Sequence, residues 1–71
     1  MYFKTIEHWG YKVSIGCMPD TPRAELEERA EQMIKAYSAR GLNGCFLRWA
    51  LEGSTNSIEY WLEKQNEYAK V

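Results

Sequence analysis

The side chains best suited to nucleophilic or soft-metal chemistry are one imidazole, His8, and two thiols, Cys17 and Cys45. A Cys–His dyad needs a thiolate within hydrogen-bond reach of the imidazole and groups that stabilise developing charge. The spacing suggests neither. The cysteines form no C-x-x-C pair, and together with His8 they fall short of a four-ligand zinc set. Each thiol sits in an apolar, strand-like stretch and reads as a small buried hydrophobe, with a disulfide or a reactive thiol as the alternatives. The glutamates cluster on a helix surface, where a solvated face explains them better than acid–base work. Gly41-Leu42-Asn43-Gly44 lacks the lysine and hydroxyl residue of a phosphate loop. Neither an enzyme nor a cofactor or metal protein is expected.

What remains is a chain equipped to grip. Two Phe, three Trp and five Tyr stand in 71 residues, more rings than one small core hides. Such a length makes one domain near the lower limit for unaided folding. Aromatics help, since each buries roughly 150–250 Å², and dimerisation is another source of buried area. Nine Lys and Arg against ten Asp and Glu leave a net charge of −1. No basic run exists to displace counterions from phosphates. No apolar run reaches membrane-spanning length, and the first residues lack the order of a secretory signal, so the chain reads as cytoplasmic.

The elements that must position these rings follow from periodicity. Tyr11, Val13, Ile15 and Cys17 alternate with Lys12, Ser14 and Gly16, a half-buried strand. Tyr2 to Glu7 is a second strand, and Gly10 between them predicts a hairpin over 2–17. Thr21 is placed to cap a helix with Pro22 at its first position. Leu26, Ala30, Met33, Ile34 and Tyr37 continue as an apolar stripe, predicting a helix over 22–40. Glu25 with Arg29 and Glu31 with Lys35 are acid-before-base pairs four apart. Gly41 suits the left-handed C-terminal cap, with Leu42 folding back on the last turn.

Beyond it, Cys45, Leu47, Trp49 and Leu51 alternate with Phe46, Arg48, Ala50 and Glu52. After a turn at 53–56, Ile58, Tyr60 and Leu62 alternate with Glu59, Trp61 and Glu63. A second hairpin over 44–63 follows, with 64–71 as a tail. A helix capped by Asn56, with Glu59 three residues on and Ile58, Trp61, Leu62 and Tyr68 as its stripe, competes for the last stretch. The strand is preferred because alternation and β-propensity agree. The expected fold is one α+β domain, ββαββ, a small antiparallel sheet with one amphipathic helix on one face.

In that layout Val13, Ile15, Leu47, Trp49, Leu51, Ile58, Tyr60 and Leu62 meet the helix. Phe46, Arg48, Glu52, Glu59, Trp61 and Glu63, with Lys12 alongside, line the uncovered sheet face. Phe, Trp and Arg within a polar rim have the composition of a protein-binding hot spot. The expected partner-binding residues are therefore Phe46, Arg48, Trp61, Glu59, Glu63 and Lys12. Exposed strand edges add a route to strand addition or homodimer pairing.

The stretch from Leu26 through Gly41-Leu42-Asn43-Gly44 to Leu47-Arg48-Trp49, then Tyr60-Trp61-Leu62, resembles the small one-helix phage anti-CRISPR proteins in element order and apolar spacing. That resemblance implies a non-enzymatic inhibitor that coats a surface of a host nuclease complex. Tyr11-Lys12-Val13-Ser14-Ile15, the proline-led helix and Leu47-Arg48-Trp49-Ala50 resemble the damage-inducible family that modulates the bacterial recombinase filament. Here the N-terminal segment is extra, and that family's acidic final helix is expected to be absent or cut short.

The reading is a non-enzymatic binding protein that blocks or modulates a host protein or ribonucleoprotein complex, expected to be a nuclease or DNA-processing one. The alternatives are a single-stranded nucleic-acid-binding module, in which Phe46, Trp61 and Arg48 stack bases, and a small structural homodimer.

Overall fold

Period-2 alternation at the N-terminus resolves into an antiparallel hairpin of β1, Tyr2–His8, and β2, Tyr11–Cys17. The computed structural model of the chain describes residues 2–53 and 56–69. Register pairs Ile6 with Val13 and Lys4 with Ile15 on one face, and Glu7 with Lys12 and Thr5 with Ser14 on the other. Ile6, Val13 and Ile15 are buried. The two-residue connection is Trp9-Gly10, with φ of 52° and 81°. Two successive positive φ values make the turn whose twist matches the strands it joins. Gly10 adopts this freely, whereas a bulky side chain such as Trp9 is strained there.

The proline-led stripe forms α1, Arg23–Ala39, burying Leu26, Ala30 and Ile34. Its start differs from the expected cap. Pro22 is the capping residue, and its carbonyl accepts from Glu25 and Leu26. The Thr21 hydroxyl turns back instead to accept from the Met18 N–H at 3.1 Å. Of the two expected ion pairs, Glu31 with Lys35 forms at 3.8 Å. Arg29 reaches instead to the Gly16 carbonyl, 3.0 Å away, and ties α1 to β2. At the other end Gly41, with φ of 108°, reverses the chain. Its N–H donates to the Ser38 carbonyl and the Leu42 N–H to the Tyr37 carbonyl. This is the full Schellman pattern, and it drives Leu42 into the core at 1% exposure.

Past that cap the expected second hairpin is absent among the described residues. Residues Gly44–Leu51 form α2 and Ile58–Ala69 form α3, so the order is ββααα and not ββαββ. Ser54 and Thr55 of the predicted turn, and 70–71 of the predicted tail, lie outside the described residues. The α+β class holds, with one two-stranded sheet and three helices among the described residues. Leu47 and Leu51 are four apart, as are Ile58 and Leu62, and four is both an even step on a strand and about one helical turn. The residues around them lean weakly toward helix. Gly44–Leu51 contains no β-branched residue, and Ile58–Ala69 contains only Ile58 among helix formers such as Glu, Leu, Lys and Gln.

The core of Ile6, Val13, Ile15, Leu26, Ala30, Ile34, Leu42, Leu47 and Leu51 lies between the hairpin, α1 and α2. The third helix stands outside this core. It packs on α2, has no fully buried residue, and contributes Ile58, Trp61 and Leu62 only in part. The molecule measures 45 × 23 × 16 Å, with a radius of gyration of 12.8 Å. A compact chain of this length has a radius of about 11 Å, so the fold is drawn out.

Candidate functional site

A helix turns about 100° per residue, so residues two apart point to opposite sides while those three or four apart share one. This rule redistributes the side chains of α2 and α3 that were assigned to the uncovered sheet face. Among the six expected partner-binding residues, it brings Phe46 and Trp61 together across α2 and α3, ring centroids 6.5 Å apart. Arg48 lies about 200° around α2 from Phe46 and is exposed on another side. Glu59 and Glu63, one turn apart, sit on a different side of α3 from Trp61. Lys12 faces solvent opposite Glu7 on the hairpin. The open face of the sheet carries Phe3, Thr5, Glu7 and Lys12, so the expected constellation on a sheet does not exist.

In its place the paired helices carry five interlocked rings. Phe46 meets Trp49 edge-on at 5.5 Å and Tyr68 at 5.9 Å. Trp61 lies 6.0 Å from Trp49 and 5.1 Å from Tyr60, the latter nearly perpendicular. These separations and tilts are those aromatic quadrupoles favour. Phe46 and Trp61 are half-buried and anchor the cluster on the core. Trp49, Tyr60 and Tyr68 remain 47%, 38% and 74% exposed. Trp49 and Tyr60 were expected in the core. The signal that places them outside is helical: Phe46 with Trp49, and Trp61 with Lys64 and Tyr68, are spaced for one side of a helix.

Between the helices lies a hollow of about 450 Å³ lined by Cys45, Phe46, Trp49, Lys64, Glu67 and Tyr68. Lys64 bonds Glu67 at 3.6 Å and stands 5.5 Å from the Tyr60 ring centre, so opposite charges border the rings. The position of α3 is set by polar tethers. The Ser57 hydroxyl accepts from the Tyr60 N–H at 3.2 Å and caps the helix. Glu59 bonds Arg40, the last residue before the Gly41 reversal, at 2.8 Å. That hydrogen bond, the Glu59 backbone and the guanidinium charge hold the carboxyl below its usual value, helped by Ser57 and opposed by slight desolvation. A 12-residue final helix thus stands where a strand and tail were expected, with Glu59, Glu63 and Glu67 spaced four apart along it.

Chemistry elsewhere is sparse. Cys17 is half-buried and Cys45 exposed, both free, so only Cys17 approaches the buried thiol expected of each. His8 lies against Trp9 at 4.8 Å with its Nε2 buried and unpartnered. Among the described residues no group of three His, Cys, Asp or Glu converges on a metal site, and no helix is long and apolar enough to cross a membrane. A hollow of similar size, about 470 Å³, separates β2 from α1 beside Met33 and Tyr37. Its single charged side chain, Arg29, is already bonded to Gly16. No protein-family model matches the chain, and no curated protein or solved structure is significantly similar to it.

Proposed function

We propose that the chain is a non-enzymatic binding module that docks another protein on the ringed face of α2 and α3, and acts by blocking or modulating the complex to which that protein belongs. The observation that supports this is the exposure of Trp49 and Tyr68 around a hollow floored by Phe46, with the exposed Tyr60 alongside against Trp61. Rigid aromatic side chains give large contact area at low entropic cost, and they dominate the energetics of protein interfaces. Lys64 and Glu67 supply a charged rim. A nucleic-acid partner is disfavoured by Glu59, Glu63 and Glu67 along the same helix and by the net charge of −1. The element order behind the anti-CRISPR resemblance is not that of the fold, so the partner is stated as a protein surface and no more narrowly.

Affinity capture from lysate of the source cells tests the reading, with wild type run beside Trp49→Ala and Tyr68→Ala. A protein retained by wild type and lost from both variants, at unchanged melting temperature, is the expected result. Equal retention by all three would move the docking face elsewhere. Retention of an oligonucleotide, with affinity falling steeply as salt rises, would favour the single-stranded nucleic-acid reading instead.

A further inference from the structure

The ringed face is nearly neutral. One cation and one anion border its hollow, Lys64 and Glu67, at 47% and 59% side-chain exposure on successive turns of α3. A strongly charged partner gains nothing from such a rim. A surface bearing the same two charges in reverse order does. Turning α3 end for end about a two-fold axis between residues 65 and 66 produces that surface: Lys64 of each copy faces Glu67 of the other. The pairing is isologous, the commonest form of closed assembly. It exchanges the bond within each chain for two across the interface. A net charge of −1 per chain raises no long-range barrier to like meeting like.

Area points the same way. The exposed parts of Trp49, Tyr60 and Tyr68 come to roughly 350 Å², taking 150–250 Å² for a whole aromatic side chain. With the accessible edges of Phe46, Trp61 and Cys45 the apolar patch reaches about 400 Å² per copy, and homodimer interfaces are about 65% apolar. The full contact is then about 1,200 Å² over both copies, at the lower bound for specific association. Such a contact would also cover α3, which has no fully buried residue. A 12-residue helix is marginal without packing.

We infer that the partner this face accepts first is a second copy of the chain, giving a weak two-fold dimer built on α3 against α3, which a foreign protein must displace. The inference rests on the proposed reading of the face as a protein-docking surface, and it is tested on purified protein alone. Sedimentation equilibrium from about 10 µM to about 1 mM, a range suited to weak association, is expected to show the mass rising from 8.3 kDa toward twice that value. Trp49→Ala should weaken association at least tenfold. Lys64→Glu alone and Glu67→Lys alone should each stay monomeric, because each places like charges across the axis. An equimolar mixture of the two should dimerise, since every cross-pair is then opposite in sign. The doubly substituted chain should dimerise by itself, and far-UV circular dichroism verifies that each variant is helical.

A mass that never departs from one chain overturns the inference, as does a dimer indifferent to Trp49→Ala or a mixture no better than its components. A strict monomer that still loses a foreign partner on Trp49→Ala would sink this inference and leave the proposed function standing.

Discussion

The Gln65 side chain receives the Asn43 N–H on its Oε1 at 3.0 Å. Its amide nitrogen donates to the Gly41 carbonyl at 2.8 Å, so one side chain of α3 ties down the four-residue link between α1 and α2. The Gly41 and Leu42 N–H groups of that link already bond back to α1, and Gln65 engages the two groups beyond them, the Asn43 N–H and the Gly41 carbonyl. Because α3 buries no residue completely, this clamp and the Arg40–Glu59 pair decide where its rings lie.

Replacing the clamp should therefore loosen the ringed face before it unfolds the core. Gln65→Ala removes two hydrogen bonds, each worth about 1 kcal/mol net. Urea denaturation should show a loss of roughly 1–3 kcal/mol, since the link's backbone is left partly unsatisfied. Amide exchange should quicken in α3 while Val13 and Ala30 stay protected.

The Arg40–Glu59 pair carries a pH dependence. Its folded carboxyl titrates below the usual 4.5, chiefly through the Arg40 hydrogen bond. A depressed value contributes stability above the unfolded pKa and loses it as pH falls through the lower folded value. The stability advantage of wild type over Glu59→Gln should be present at pH 7 and fade as pH falls through the lowered folded value. Because both side chains of the pair are solvent-exposed, about 1 M salt should flatten the difference at pH 7 as well.

Gly41 holds φ at 108° where the Schellman pattern reverses the chain. A Cβ there would lie 3.8 Å from a Leu62 methyl, ordinary contact, so the cost is backbone strain and not crowding. Gly41→Ala should destabilise by about 1 kcal/mol or somewhat more in a thermal or urea titration.

Trp9 holds a positive φ that its side chain disfavours by roughly 1–2 kcal/mol, offset by its contacts with His8 and the Lys35 ammonium. Trp9→Asn gives the turn the asparagine–glycine pair that suits it. A gain of up to about 1 kcal/mol in chemical denaturation is expected. A loss would mean that the ring contacts with His8 and Lys35 outweigh the strain.

The hairpin and α1 were legible because their signals are local and mutually consistent. Val13 and Ile15 are β-branched and alternate beside a two-residue turn. Leu26, Ala30 and Ile34 recur at a helical interval between a proline and a glycine. The docking face was legible only in part. Phe46 and Trp61 were singled out and do meet, but Arg48, Glu59, Glu63 and Lys12 belonged with them only if residues 44–63 were extended. Trp49 and Tyr60 were assigned inward by the same assumption. The helix start near Asn56 was visible, and the bond that makes it, from the Tyr60 N–H, goes to Ser57.

Composition and local pattern alone determined a small α+β chain, aromatic-rich and close to neutral, with a strand pair followed by a capped helix. The path of residues 44–69 was decided by tertiary structure. Leu47 and Leu51 satisfy either a strand face or a helix side, and intrinsic propensities separate the two by well under 1 kcal/mol per residue. Burying each leucine is worth roughly 1.5–3 kcal/mol. Their seat beside Leu42, Ala30 and Ile34 exists only once the hairpin and α1 have come together. In that seat the backbone is helical, and Trp49 is turned outward.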